Sequence, residues 1–241
     1  MKAIYLLAKR ELGYHLNTIW GYALIAFVLL IDGLLFNSFS LTDTPRFSSD
    51  VLEDFFYFSS GTTMIAGIFL SMRLFAEERQ SNTIVLLETT PINEAQVVTG
   101  KFLGALIFLM LITLLTLYMP IFIQINGKVS WAQIATGYLG LFSLASVTIS
   151  IGLLGSTMAK NQLFAAIIGA GILVVFLLGW LMGKIAEAPL DEVFSYMALF
   201  DRHYQPFMRG RINTESLFFY LSLSFLFLLL ATRILQTRRQ S

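Results

Sequence analysis

The chain contains no cysteine, which excludes thiolate catalysis, disulfide bridges and cysteine-ligated metal sites. Histidine is almost as scarce, with His15 and His203 the only two. An odd number of hydrophobic runs separates them, so in a membrane they face opposite sides and do not readily share a metal; no metal site is expected. Charged residues make up only 13% of the chain. No serine has a neighbouring histidine or lysine arranged for nucleophilic catalysis, no hydrophobic run holds paired carboxylates, and no histidines cluster. There is no G-x-x-x-x-G-K phosphate cradle, so the chain does not bind ATP by that route.

What is present is apolar surface: 56% of the 241 residues are hydrophobic, and the charges are gathered between long apolar runs. That is the pattern of a polytopic membrane protein. Six runs meet the length of about 20 residues that a helix needs to cross hydrocarbon: Ile19–Phe39, Phe55–Phe75, Phe102–Ile125, Trp131–Met158, Leu163–Gly183 and Leu217–Leu235. They lack the strict alternation of barrel strands, so the expected fold is all-α, one membrane domain over 1–241. Lys9 and Arg10 before an apolar run resemble a signal peptide, but the run is too long and no small-residue cleavage pattern follows. It reads as a retained first span.

Basic residues set the orientation. With the N-terminus inside, the inner side holds Lys2, Lys9, Arg10, Arg73, Arg79, Lys101, Lys160, Arg233, Arg238 and Arg239. The outer side holds Arg46, Lys128, Lys184, Arg202, Arg209 and Arg211. Both termini are expected in the cytoplasm.

Between the runs, three segments stand out. Residues 1–18 place Ile4, Leu7, Ala8, Leu12 and Leu16 at helical spacing among charges, which suits either an interfacial amphipathic helix or an inward extension of the first span. Residues 76–101 carry Glu77, Glu78 and Arg79, a short amphipathic piece from Ile84 to Glu88, a break at Pro91, and Asn93 with Gln96 as a plausible start for the next helix. Composition alone favours an ordinary solvated turn there. Residues 185–216 place Leu190, Val193, Phe194 and Met197 on one face, which suits short helices dipping into the outer leaflet or a loop folded over the span ends. Asn126-Gly127 reads as a tight turn between antiparallel neighbours.

Asp32 is the one ionisable group well inside a run, and intramembrane charges mark pathways or relays. Tyr57, Ser59, Ser60, Thr62 and Thr63, in the outer half of the second span, could hydrogen-bond it and line a pathway; alternatively Asp32 reaches the outer interface without function. Ala166, Gly169, Ala170, Gly179 and Gly183 give span five a small-residue face for helix packing, either with a second subunit or within one.

Glu77-Glu78-Arg79-Gln80-Ser81-Asn82-Thr83, then Leu86-Leu87, Thr90-Pro91 and Gly100-Lys101-Phe102-Leu103-Gly104, resemble the cytoplasmic loop of type-two ATP-binding-cassette (ABC) exporter permeases. That pattern is E-x-x-x-G-T, L-L, S-P, then G-K, and it falls between the right two spans. Asn82 replaces the usual glycine, and asparagine tolerates the same backbone conformation. Lys9-Arg10-Glu11-Leu12 and the stretch from Phe200 to Ile212 resemble the family's connecting helix and outer re-entrant helices. The likeness is nearest to short six-span permeases of the gliding-motility type.

The resemblance implies a permease subunit, not an enzyme, of an exporter in the bacterial inner membrane. Its partners would be a second permease half of the same or a homologous chain, separate ATPase subunits that hold ATP and Mg, membrane lipid and an extracytoplasmic accessory protein, with no nucleic acid. No cofactor is expected on this chain. Glu77, Glu78, Arg79, Thr83, Ile84, Leu86, Leu87 and Pro91 would couple to the ATPase. The competing reading is an ATP-independent small membrane enzyme or ion-coupled carrier, against which stand the missing catalytic constellation, the few intramembrane charges and the lack of an inverted repeat.

Overall fold

The computed structural model describes residues 2–40, 46–81, 92–187 and 189–240. Among these the chain is all-helical, with no strand. Five helical runs are long and apolar enough to cross a membrane, and a bent pair makes a sixth.

The first helix, α1 (Lys2–Asn17), does not continue into α2 (Ile19–Leu35), because Thr18 is extended (φ −106°, ψ 146°). The sequence left open whether 1–18 extends the first span; the structure makes it a separate helix. The corner requires glycine at 21, where a β-carbon would sit 1.7 Å from the His15 carbonyl oxygen.

A run of 33 residues from Ser48 to Gln80 forms α3 (Ser48–Ser71) and α4 (Arg73–Gln80). At 1.5 Å per residue it is about 50 Å long, well beyond a hydrocarbon core of about 30 Å, so its charged end projects. Next come α5 (Glu94–Leu115) and α6 (Tyr118–Asn126). The Asn93 side chain caps α5 by accepting from the Ala95 N–H at 3.2 Å, as its spacing predicts.

Gly127 departs from the expected turn. Its backbone is extended (φ −143°, ψ 175°), and it is glycine because a β-carbon would lie 2.1 Å from Ser48 Oγ at the start of α3. Close approach, rather than turn conformation, explains the residue.

The centre is α7 (Trp131–Met158), packed against α3, α4, α5, α8 and the C-terminal helix. Its small residues allow that crowding: β-carbons at Gly137, Gly140, Gly152 and Gly155 would strike Phe56, Phe207, Ser71 and the Ala165 carbonyl. The expected fifth span is two helices, α8 (Gln162–Leu177) and α9 (Gly179–Ile185), bent by 44°. The bend seats Gly179 on the backbone of Phe194 and Ala198, and Gly183 on Ser195, so α9 and α10 (Leu190–Met197) pack as a hairpin.

A π-helical turn, Leu199–Tyr204, leads to α11 (Gln205–Met208) and then to α12 (Thr214–Gln240). Buried Tyr204 fixes this outer segment, its hydroxyl donating to the Phe56 carbonyl at 3.0 Å. Tyr220 does the same for Leu199 at 2.8 Å.

Candidate functional site

Polar side chains collect at one end of the bundle, where α1, α4 and α5 meet. Two glycines bring α1 in: β-carbons at Gly100 and Gly104 would each lie 2.6 Å from the β-carbons of Leu7 and Glu11. Spaced four apart on α5, they form a groove into which α1 lies at close backbone contact. Lys101 is thereby buried, 2% exposed, and an ammonium so placed must be paired. Its Nζ donates to Glu78 Oε1 at 2.8 Å and to the Leu74 carbonyl, and Glu11 Oε2 is 3.7 Å away. Arg10 reaches the same Glu78 oxygen at 3.3 Å.

Beside this group lies a second one. Arg73 clasps Glu77 with two bonds of 2.8 Å, the bidentate geometry that makes guanidinium–carboxylate pairs strong. Its Nη2 also donates to the Tyr14 hydroxyl at 2.9 Å, and that hydroxyl donates to Glu77 at 3.0 Å. Burial, with Glu77 accepting from it, pushes the Tyr14 phenol up. The Arg73 guanidinium further lies 5.0 Å from the Trp20 ring. Thus α1, α4 and α5 are joined by charge at the base of span two.

His15 sits within this lattice, 1% exposed and stacked on Phe108 at 5.1 Å. Neither ring nitrogen has a hydrogen-bond partner among the described residues. Burial first, then the nearby Arg73 and Lys101 cations, push its pKa down to about 4. The ring is therefore neutral at pH 7, and its 3.8 Å approach to Glu11 is not an ion pair there.

Arg79 points the other way, onto the end of α7, donating to the carbonyls of Thr157 and Ala159. Of the residues assigned to coupling, Glu77, Glu78 and Arg79 are thus in contact with α1, α5 and α7. Thr83, Ile84, Leu86, Leu87 and Pro91 lie outside the described residues, as does Asn82.

Toward the opposite end, Asp32 is 3% exposed. Thr62 donates to its Oδ1 at 2.6 Å and Ser59 to its Oδ2 at 3.3 Å. Tyr57, Ser60 and Thr63 make no bond to it, and Ser60 bonds the Tyr57 carbonyl instead. Ser59, Ser60, Thr62 and Thr63 are all buried and Tyr57 is exposed; Tyr57, with Ser60 and Thr62 behind it, borders a groove of about 360 Å³ together with Ile31, Leu177 and Phe200. Tyr57 and Phe200 stack edge to face, centroids 5.4 Å apart, between this groove and a recess of about 290 Å³ that includes Arg46, Asp50 and Asp54.

The small residues of span five are largely used within the chain. Gly169 lies against Gly152 of α7, while Gly179 and Gly183 meet α10; Ala166 and Ala170 are half-buried. Among the described residues no group of three or more His, Asp or Glu could hold a metal ion.

Several of these residues stand in motifs of the sequence, but their pairing and packing were not read from it. Lys101, flanked by Gly100 and followed by Gly104 at the head of an apolar run, marks a buried cation beside a helix-packing groove. Tyr14, Glu11 and His15 occupy one face of α1 with nothing local to show what they meet.

A multi-helix membrane bundle carrying an interhelical ion lattice between its second and third spans has the makings of a transport component. The comparison with family models agrees: residues 10–236 match the ABC-2 family transporter protein model. The chain belongs to that family, and is a multi-pass membrane protein of the permease type used by ABC transporters. A search of individually curated proteins gave no match.

Proposed function

We propose that the chain is the permease subunit of an ABC exporter, forming the substrate route with a second permease half and driven by separate ATPase subunits that bind ATP and Mg. The observation that carries this reading is the lattice of Lys101, Glu78, Arg73, Glu77, Glu11 and Tyr14, which ties the start of the inter-span segment to α1 and α5. A segment that receives force must be fixed to the spans it moves. A segment that merely turns needs no buried lysine.

In this reading the lattice end faces the cytoplasm of a bacterial inner membrane, with both termini on that side. The basic residues support it: Lys2, Lys9, Arg10, Lys160 and Arg238 accompany the lattice end in the same orientation. The segment that includes Ile84, Leu86 and Leu87 docks the ATPase, and contact that differs between inward- and outward-facing states supplies the work. Substrate passes between the halves along the groove at Tyr57, Ser60 and Thr62, with Asp32 behind its wall. The exposed flank of α8 faces the second half.

The test is purification of tagged chain from its native membrane, with identification of the bound proteins. An ABC ATPase should copurify, and ATP hydrolysis should appear with the complex and be absent from the chain alone. Turnover by the isolated chain would overturn the reading.

A further inference from the structure

Only Met72 separates α3 from α4, yet the helix breaks there, and no proline or glycine lies at the break. The cause is a hydroxyl from elsewhere in the chain. Ser156 Oγ, on α7, accepts from the N–H groups of Phe75 and Ala76, both at 2.9 Å, and donates to the Met72 carbonyl at 2.9 Å. In an uninterrupted helix the Ala76 N–H would bond that Met72 carbonyl. The serine has inserted into the ladder, a recognised way for a side chain to interrupt a helix. A hydroxyl has one proton to give and two lone pairs to receive with, so Ser156, fully buried, has spent its whole capacity on this break.

The far end of α4 is held on the same helix. Arg79 donates to Thr157 and Ala159, and Arg238 of α12 donates to Met158 at 3.0 Å. Three successive carbonyls at the C-terminus of α7, the negative end of its dipole, are therefore met by guanidinium groups. α4 is fastened to α7 at its first turn and its last. Only residues 159–161 separate that end of α7 from α8, whose start Asn161 caps by accepting from Phe164 N–H at 2.9 Å.

We infer that α4 and the end of α7 form one rigid lever, hinged at Met72 and pinned by Ser156 and Arg79, which delivers the motion of the inter-span segment to spans four and five. This deepens the proposed function and rests on it for the source of the motion; the rigidity of the lever is a property of the chain alone. Ser156 is a positioning residue in this arrangement. The break frees α4 from α3, and the serine hands it to α7.

The lack of native cysteine allows spin labels at introduced cysteines to report only the chosen pairs. The first measurement uses the chain by itself in nanodiscs, diluted with unlabelled chain, labelled at Gln80 and Lys160. The wild-type background should give one narrow distance distribution, and Ser156→Ala or Arg79→Gln should broaden it. Arg79→Gln alters a part-exposed side chain and so keeps the test valid where Ser156→Ala fails to fold. Amide exchange at Phe75 and Ala76 should rise roughly fivefold or more in Ser156→Ala, as expected when a net hydrogen bond of about 1 kcal/mol is lost. A broad wild-type distribution would overturn the lever whatever the partner.

The second measurement uses the complex with its ATPase, trapped with ATP and vanadate. The Gln80–Lys160 distance should stay fixed while Gln80–Phe69, across the hinge, changes. A Gln80–Lys160 shift of about 5 Å, one helical turn, or no change across the hinge would overturn the inference. Failure of any ABC ATPase to bind is seen separately, by size-exclusion chromatography, and overturns the functional reading instead.

Discussion

Lys101 Nζ on α5 lies 2.8 Å from Glu78 Oε1 on α4, and the lysine is sealed from solvent by α1. The pair crosses from the third span to the end of the second, and Arg10 of α1 joins it at the same oxygen. Three helices are thereby registered by one carboxylate.

Removing that carboxylate strands a buried cation. Glu78→Ala is expected to cost on the order of 3 kcal/mol, because among the described residues the ammonium keeps the Leu74 carbonyl, the face of Phe75 and the distant Glu11 but no close carboxylate. Glu78→Gln retains an acceptor and should cost about half as much. Urea or thermal unfolding of the purified chain in detergent measures both; equal stability of Glu78→Ala and wild type would show that the lattice is not holding the helices.

His15 gives the stability a pH dependence. Its folded pKa is about 4, below the ordinary 6.5, with desolvation the main cause and Arg73 and Lys101 adding to it, while Glu77 opposes them. Between those values the unfolded chain binds a proton that the folded chain refuses, so stability is full above pH 6.5 and falls as pH drops toward 4. The loss from this residue is on the order of 3 kcal/mol. His15→Phe, which keeps the stack on Phe108, should flatten that part of a melting-temperature profile. An unchanged slope would place the sensitivity elsewhere.

The groove for α1 predicts a steric effect. A side chain at Gly104 meets the Glu11 β-carbon and the Ala8 carbonyl oxygen, 2.6 and 2.9 Å from a β-carbon. Gly104→Val should lift α1 and cost roughly 1 to 3 kcal/mol. Faster proteolysis or amide exchange confined to residues 2–17 would report it, whereas uniform exchange along the chain would not.

The Asp32 contacts make a separate prediction. Thr62→Val removes the 2.6 Å donor and should lower stability by roughly 1 to 3 kcal/mol, while Thr62→Ser, which keeps the hydroxyl, should restore it. A loss in Thr62→Ser with none in Thr62→Val, which keeps the methyl, would assign Thr62 to packing instead.

The spans were readable because hydrocarbon imposes a length and a composition that local sequence must show. Asn93 as a cap was readable for the same reason, since its partner is two residues away. The break in the helix ladder at Met72 was not, because its cause, Ser156, lies more than eighty positions on and reads in Gly155-Ser156-Thr157 as an ordinary small residue. The bend at Leu178 escaped likewise: Gly179 and Gly183 suggested a helix partner but not that the partner was α10 of the same chain. Residues such as Lys101 and Glu78 were legible as charges, yet their pairing depends on how α1 lies across α5.

The central claim, that the segment between spans two and three couples the permease to an ATPase, is tested most directly at Leu86. Binding of the ATPase to nanodisc-embedded chain should weaken in Leu86→Asp by roughly ten- to a hundredfold, the equivalent of about 1.5 to 3 kcal/mol of lost apolar burial, and transport should fall while membrane insertion is unchanged. Unchanged affinity together with normal transport in Leu86→Asp would contradict the account.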